Sequence, residues 1–122
     1  MTEDFIDTAG IEGYHAHVYY DAATRGVAER LRHALGERFP VRLGRWHDEP
    51  VGPHPVSMYQ AAFDADVLAD LLPWLMLNRG ELNILVHPLT GDDYSDHARF
   101  ALWLGASLPL RLEALRRGRA PE

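Results

Sequence analysis

The sequence has no cysteine and no lysine; its twelve basic residues are all arginine. Without thiols there are no disulfides, no thiolate nucleophile and no thiolate metal site, so any metal must be held by histidine and carboxylate. No stretch approaches 18 apolar residues, and the start, Met1 to Asp7, is acidic rather than basic and then apolar. Neither a membrane span nor a secretory signal is expected, and a cytoplasmic location follows as the default. Twelve arginines against eighteen acidic residues leave a net charge of −6. That balance disfavours nucleic acid, whose binding rests on cations neutralising phosphates. The cluster Arg111, Arg116, Arg117 and Arg119 reads as a solvated tail. Repeats and linkers are also absent. The 122 residues, 47% hydrophobic and 25% charged, are expected to form one domain over 1–122 with its core from about 14 to 112.

What is present begins with a strand. Tyr14 to Tyr20 is aromatic and β-branched with period-2 alternation, placing Ala16, Val18 and Tyr20 on one face and His15, His17 and Tyr19 on the other. Asp21 offers an N-cap to an amphipathic helix from Ala22 to Arg38, carried by Val27, Leu31 and Leu35 and ended before Pro40. Val41 to Trp46 reads as a second strand, His47 to Pro55 as a loop with three prolines, and Val56 to Phe63 as a third strand. A second helix follows Asp64 or Asp66 through Leu71, Leu72 and Leu75, with Pro73 either kinking it or opening a new turn. Asn83 to His87 is a fourth strand, and a third helix is expected from Tyr94 or Asp96 to Leu104, stopped by Gly105. The order β-α-β-β-α-β points to an α+β, ferredoxin-like plait with an antiparallel sheet of order 4-1-3-2 and an extra C-terminal helix. Both helices would cover the Ala16/Val18 face. The face with His15 and His17 would stay open unless a partner or ligand covers it.

Seven histidines are many for this length. His15 and His17 lie about 6.6 Å apart on one strand face, a spacing from which two imidazoles can converge on one metal. In this topology strand 4 runs antiparallel beside strand 1, so His87 meets them and completes a three-nitrogen site with open positions. A His-x-His pair can equally be a set of core imidazoles satisfied by carbonyls, or carry a dimer contact. His54, between Pro53 and Pro55, sits in a loop stiffened by its prolines, which suits either a residue held for chemistry or a tight turn. It reaches the same centre only if the loop folds back or a second subunit supplies it. His47 and His97 are further polar candidates. Asp48, Asp92 and Asp96 lie in loops from which an acidic ligand could come. Arg79 reads either as a fork for a substrate carboxylate or as a charge favoured at a helix C-terminus.

The segments Tyr-His-Ala-His-Val-Tyr-Tyr (14–20), Arg-Trp-His-Asp-Glu-Pro-Val-Gly-Pro-His-Pro (45–55), Met-Tyr-Gln (58–60), Pro-Trp-Leu-Met-Leu-Asn-Arg (73–79), Ile-Leu-Val-His-Pro-Leu-Thr-Gly-Asp (84–92), Asp-His (96–97) and Ala-Leu-Trp-Leu-Gly (101–105) resemble the DOPA 4,5-dioxygenase family of fungal and bacterial proteins. The resemblance implies a ferredoxin-like fold, a homodimer, and extradiol opening of a catechol ring by O2. It implies Fe(II), with zinc as a substitute in a purified sample. Carried onto this chain, the metal ligands are His15, His17 and His87, with His54 as fourth ligand or acid–base residue. His47 and His97 become further catalytic candidates, and Arg79, Tyr19 and Tyr59 candidate substrate contacts. Two readings of other classes stand beside this one: a non-catalytic dimeric module holding a small aromatic or zinc, and a cofactor-free enzyme using histidines as acid and base.

Overall fold

The structure, a computed structural model, describes residues 5–119, with side chains through residue 116. The first four residues of the acidic start, and the side chains of Arg117 and Arg119, lie outside that range. Five strands form one open antiparallel sheet, accompanied by four helices: β1 Tyr14–Tyr19, α1 Arg25–Arg38, β2 Arg42–Leu43, β3 Met58–Phe63, α2 Leu68–Asn78, β4 Asn83–Pro88, α3 Asp93–Ala98, β5 Leu102–Leu104 and α4 Glu113–Arg119. The sheet order is β2-β3-β1-β4-β5, so β1 and β4 lie side by side near the middle.

The alternation along β1 sorts the molecule into two layers. Ala16 and Val18, both fully buried, face α1 and α2 together with Tyr59, Ala61, Phe63, Ile84 and Val86. The helices answer with Ala28, Leu31 and Leu35 from α1 and Leu71 and Leu75 from α2. The start of α1 is set by a closed turn. Asp21 Oδ1 accepts from the Thr24 amide at 2.9 Å, and the Asp21 amide donates to Thr24 Oγ1 at 2.9 Å. This reciprocal pair takes up the turn expected to be helical, so α1 begins three residues later than its apolar pattern alone suggests. Inside α2, Pro73 removes one donor, the amide that would bond Ala69, and the helix continues to Asn78.

Three expectations need correction. The sheet has five strands rather than four, in the order β5-β4-β1-β3-β2 when read from the other edge, because residues expected to end a third helix form β5. Helix α3 stops at Ala98, and Leu102–Leu104 pairs with the outer edge of β4, Ile84 opposite Leu104 and Val86 opposite Leu102. The second strand shrinks to Arg42–Leu43, after which Gly44 and then His47 each meet β3 singly. The face carrying His15 and His17 is not left open. Tyr19, Met58 and Leu85 form a small buried cluster there, covered by Ala101, Trp103, Leu108 and Leu110. The chain after β5 thus folds back over part of the sheet. Among the described residues, no helix is long and apolar enough to cross a membrane.

Two leucines of α2 test this layering. Leu75 is fully buried, whereas Leu77 is 86% exposed. Leu75→Ala is expected to cost about 2–5 kcal/mol of stability, and Leu77→Ala about 0.5 kcal/mol or less. Urea unfolding of the two variants distinguishes the faces.

Candidate metal centre

The register between β1 and β4 places His15 directly opposite His87, with His17 two residues along on the same face. Directly opposed residues of an antiparallel pair project from the same side of the sheet. The His17 and His87 Nε2 atoms come within 3.1 Å of each other. Two nitrogens bound to one ion at about 2.0–2.2 Å stand roughly 3.0–3.5 Å apart, so the pair already has the separation of two ligands. The His15 ring lies 5.2 Å from His87 and 5.8 Å from His17.

Two further imidazoles arrive from outside the sheet. The loop carrying His54 does fold back. Gly52, at φ +55°, opens a turn closed by the His54 amide donating to the Val51 carbonyl at 2.9 Å. The Arg111 amide then donates to the Pro53 carbonyl at 2.8 Å, tying the loop to the C-terminal segment. The His54 ring comes to 4.2 Å from His17, with Nδ1 2.6 Å from the Tyr19 hydroxyl. Helix α3 supplies His97, whose ring is 4.0 Å from His87. The result is two overlapping ligand sets that share His17: His15, His17 and His87, and His17, His54 and His97, each with its nitrogens within 4.8 Å of one another.

Burial sets the charge of this cluster. His17, His54 and His87 are at most 4% exposed, while His15 is half-buried and marks the side nearer solvent. Desolvation is the main cause holding each below the ordinary imidazole range, reinforced by the other histidines. His54 is lowered to about 4 and His87 to about 3. His17 is lowered most by burial and then by His54 and His87. These rings are therefore neutral at pH 7, the state a metal ligand requires. Partners at the far nitrogen orient two of them. His87 Nδ1 donates to the Pro88 carbonyl at 2.9 Å and His97 Nδ1 to the Asp93 carbonyl at 2.8 Å, which leaves each Nε2 with a bare lone pair. The buried Nδ1 of His17 has no hydrogen-bond partner.

The remaining candidates separate from this centre. Asp48 accepts from Tyr20 and Arg25, Asp92 caps α3 through Ser95, and Asp96 accepts from the hydroxyl and amide of Thr90. None of the three joins a ligand set, so the cluster is all-imidazole. His47 pairs its backbone with Met58 and stays outside both sets. Two of the candidate substrate contacts lie apart from the cluster. Tyr59 opposes Val18, projects to the helix-covered face, and spends its hydroxyl on the Ala28 carbonyl. Arg79 donates to the Leu82 carbonyl at 2.8 Å, next to the Asn83 end of β4. At about 3.3 Å per residue that end is some 13 Å from His87. Tyr19 does belong to the histidine face, where it stacks on Trp103 at 5.7 Å. A cleft of about 210 Å³ between Tyr19, Asn83 and Leu108 adjoins it. A larger one of about 560 Å³ is lined by Ile6, Ile11, Tyr14, Leu68, Phe100 and Leu102 and takes in none of the histidines. Trp103 and the Arg111 amide are the contributors that sequence reasoning missed. The Leu102-Trp103-Leu104 alternation was the available signal for the first; the second is a backbone contact with no signature.

A profile of the Dopa 4,5-dioxygenase family matches residues 14–114. The chain belongs to that family. A DOPA 4,5-dioxygenase from Amanita muscaria is 38% identical over 114 residues, which cover 86% of this chain and 50% of that one. An uncharacterized 21.2 kDa protein from Botryotinia fuckeliana is 37% identical over 123 residues, covering 89% of this chain and 67% of its own length. A crystal structure from Nostoc punctiforme, described as a "putative dioxygenase", superposes with a TM-score of 0.92 at 59% identity, covering 93% of this chain and 98% of that one. The chain spans about half the length of the Amanita enzyme and about two thirds of that of the Botryotinia protein.

The lowered histidines make stability depend on pH. Below about 6.5 the unfolded chain takes up protons that the buried rings refuse, so unfolding gains relative to folding. The stabilisation is complete above about pH 6.5 and is lost as pH falls toward about 4 and 3, where His54 and His87 protonate in the fold. The Tm of metal-free protein is expected to fall steadily from pH 7 to pH 5. A flat profile contradicts neutral burial of the cluster.

Proposed function

We propose that the chain is an extradiol ring-cleaving dioxygenase that acts on DOPA or a related catechol with O2 at a histidine-held metal. The observation that carries this reading is the pair of Nε2 atoms 3.1 Å apart at the centre of five clustered imidazoles, in a member of the Dopa 4,5-dioxygenase family. We further read the sheet and its helix layer as a ferredoxin-like plait extended by β5.

The residues fit a divalent metal. The donor set is neutral nitrogen, which suits iron and zinc, and the facing Nε2 atoms of His17 and His87 already stand at the separation of two ligands of one ion. His15, His17 and His87 would hold it, with His15 on the side nearer solvent. Bound there, Fe(II) supplies open coordination positions for the two catechol oxygens and for O2, together with the redox activity that O2 chemistry needs. The chain supplies the rest. His97, with its bare Nε2, accepts a catechol proton as general base. The Pro88 and Asp93 carbonyls keep His87 and His97 in the tautomers these roles require. The C-terminal segment over Tyr19, Met58 and Leu85 excludes water from one side. Ring opening next to the diol breaks one C–C bond and places both oxygen atoms of O2 in a muconic semialdehyde.

The test is anaerobic reconstitution with Fe(II), followed by DOPA, caffeate or plain catechol in an oxygen electrode. The expected result is one O2 consumed per catechol with a yellow product, lost at least about 100-fold in His17→Ala. Iron bound without oxygen uptake on any catechol overturns the reading in favour of a non-catalytic module. Uptake that survives His17→Ala points instead to a cofactor-free reaction.

A further inference from the structure

The five imidazoles differ in what meets their Nδ1 atom. His87 and His97 each meet a carbonyl, at 2.9 Å and 2.8 Å. A carbonyl can only accept, so in both rings Nδ1 carries the proton and Nε2 is bare. His54 meets the Tyr19 hydroxyl at 2.6 Å, and a hydroxyl can either donate or accept. Two arguments give the direction. Bonds donated by N–H to oxygen fall at roughly 2.7–3.2 Å, whereas hydroxyl-donated bonds to oxygen run shorter, at about 2.5–3.0 Å. A phenol O–H is also a stronger hydrogen-bond donor than a neutral imidazole N–H, and a bare imidazole nitrogen is a stronger acceptor than a phenol oxygen.

We propose that Tyr19 donates to His54 Nδ1 and thereby holds the proton of His54 on Nε2, making His54 a hydrogen-bond donor to the metal site rather than a ligand of it. Tyr19 is the positioning residue. Its ring is fixed by the stack on Trp103 and by burial against Met58 and Leu85, and it lies on β1 two residues from His17. The His54 backbone is fixed independently by the Gly52 turn and the Arg111–Pro53 bond. With one nitrogen tied to Tyr19, the ring stands 4.2 Å from His17 and 5.9 Å from His97. Its N–H is placed to bond an anionic oxygen, such as a deprotonated catechol oxygen, and no lone pair on Nε2 competes for the ion. The all-nitrogen shell then excludes His54.

This inference rests on the metal reading of the cluster, but its test does not require turnover. In metal-free protein labelled with ¹⁵N-histidine, long-range ¹H–¹⁵N spectra at pH 7.5 are expected to show His54 protonated at Nε2 and His87 and His97 at Nδ1. Zinc titration should leave the His54 proton on Nε2. Zinc affinity should change less than about threefold in His54→Gln and fall at least about tenfold in His87→Gln. In Tyr19→Phe nothing holds the proton in place, so zinc should recruit His54 and move its proton to Nδ1. A wild-type His54 protonated at Nδ1, before or after zinc, overturns the proposal, as does a tenfold loss of affinity in His54→Gln. A Tyr19→Phe protein whose His54 keeps its proton on Nε2 with zinc bound overturns the role given to Tyr19. Failure of every catechol to consume oxygen leaves these spectra readable.

Discussion

The site depends on one constraint, the antiparallel register that sets His15 opposite His87 across β1 and β4. A shift by one residue would turn His87 to the helix layer and bring Val86 to the histidine face. That layer cannot accept the exchange. Ala16 and Val18 are fully buried beneath α1 and α2, with Ile84 and Val86 beside them, so the apolar core holds the register and the register holds the imidazoles. The geometry of the histidine cluster is thus stabilised mainly by packing on the opposite side of the same strands.

The second constraint is desolvation. Neighbouring imidazoles would repel strongly if protonated, and burial holds His15, His17, His54 and His87 below the ordinary imidazole range. The cluster is destabilising as acid is added and is ready for a cation when neutral. The carboxylates nearest in sequence are spent on the framework. Asp48 pairs with Arg25, Asp92 caps α3 and Asp96 closes the Thr90 turn. This division leaves the centre to nitrogen donors and orients α3, which delivers His97.

Much of this centre was legible in the sequence. Alternation in Tyr14 to Tyr20 separates the histidine face from the core face, and the β-α-β-β-α-β order brings β4 beside β1, so His15, His17 and His87 could be placed together before any coordinates. The face of Tyr59 is not readable from its own segment: Tyr59 opposes Val18, and that pairing turns it to the helices. The return of His54 was not legible, because it depends on a positive-φ glycine and on a backbone bond to Pro53 from Arg111, far along the chain, that no local pattern signals. The third helix was overextended because Ala98 to Leu104 carries apolar residues compatible with either period, and the free edge of β4 decides between them.

The central claim is that one metal ion sits between β1 and β4. An anomalous-difference map at the iron edge, from crystals grown anaerobically with Fe(II), tests it most directly. The account predicts a single strong peak within bonding distance of His17 and His87 nitrogens, with His15 completing the set. A peak bound elsewhere, or no peak while the imidazoles bond only to one another and to main-chain oxygens, would contradict it.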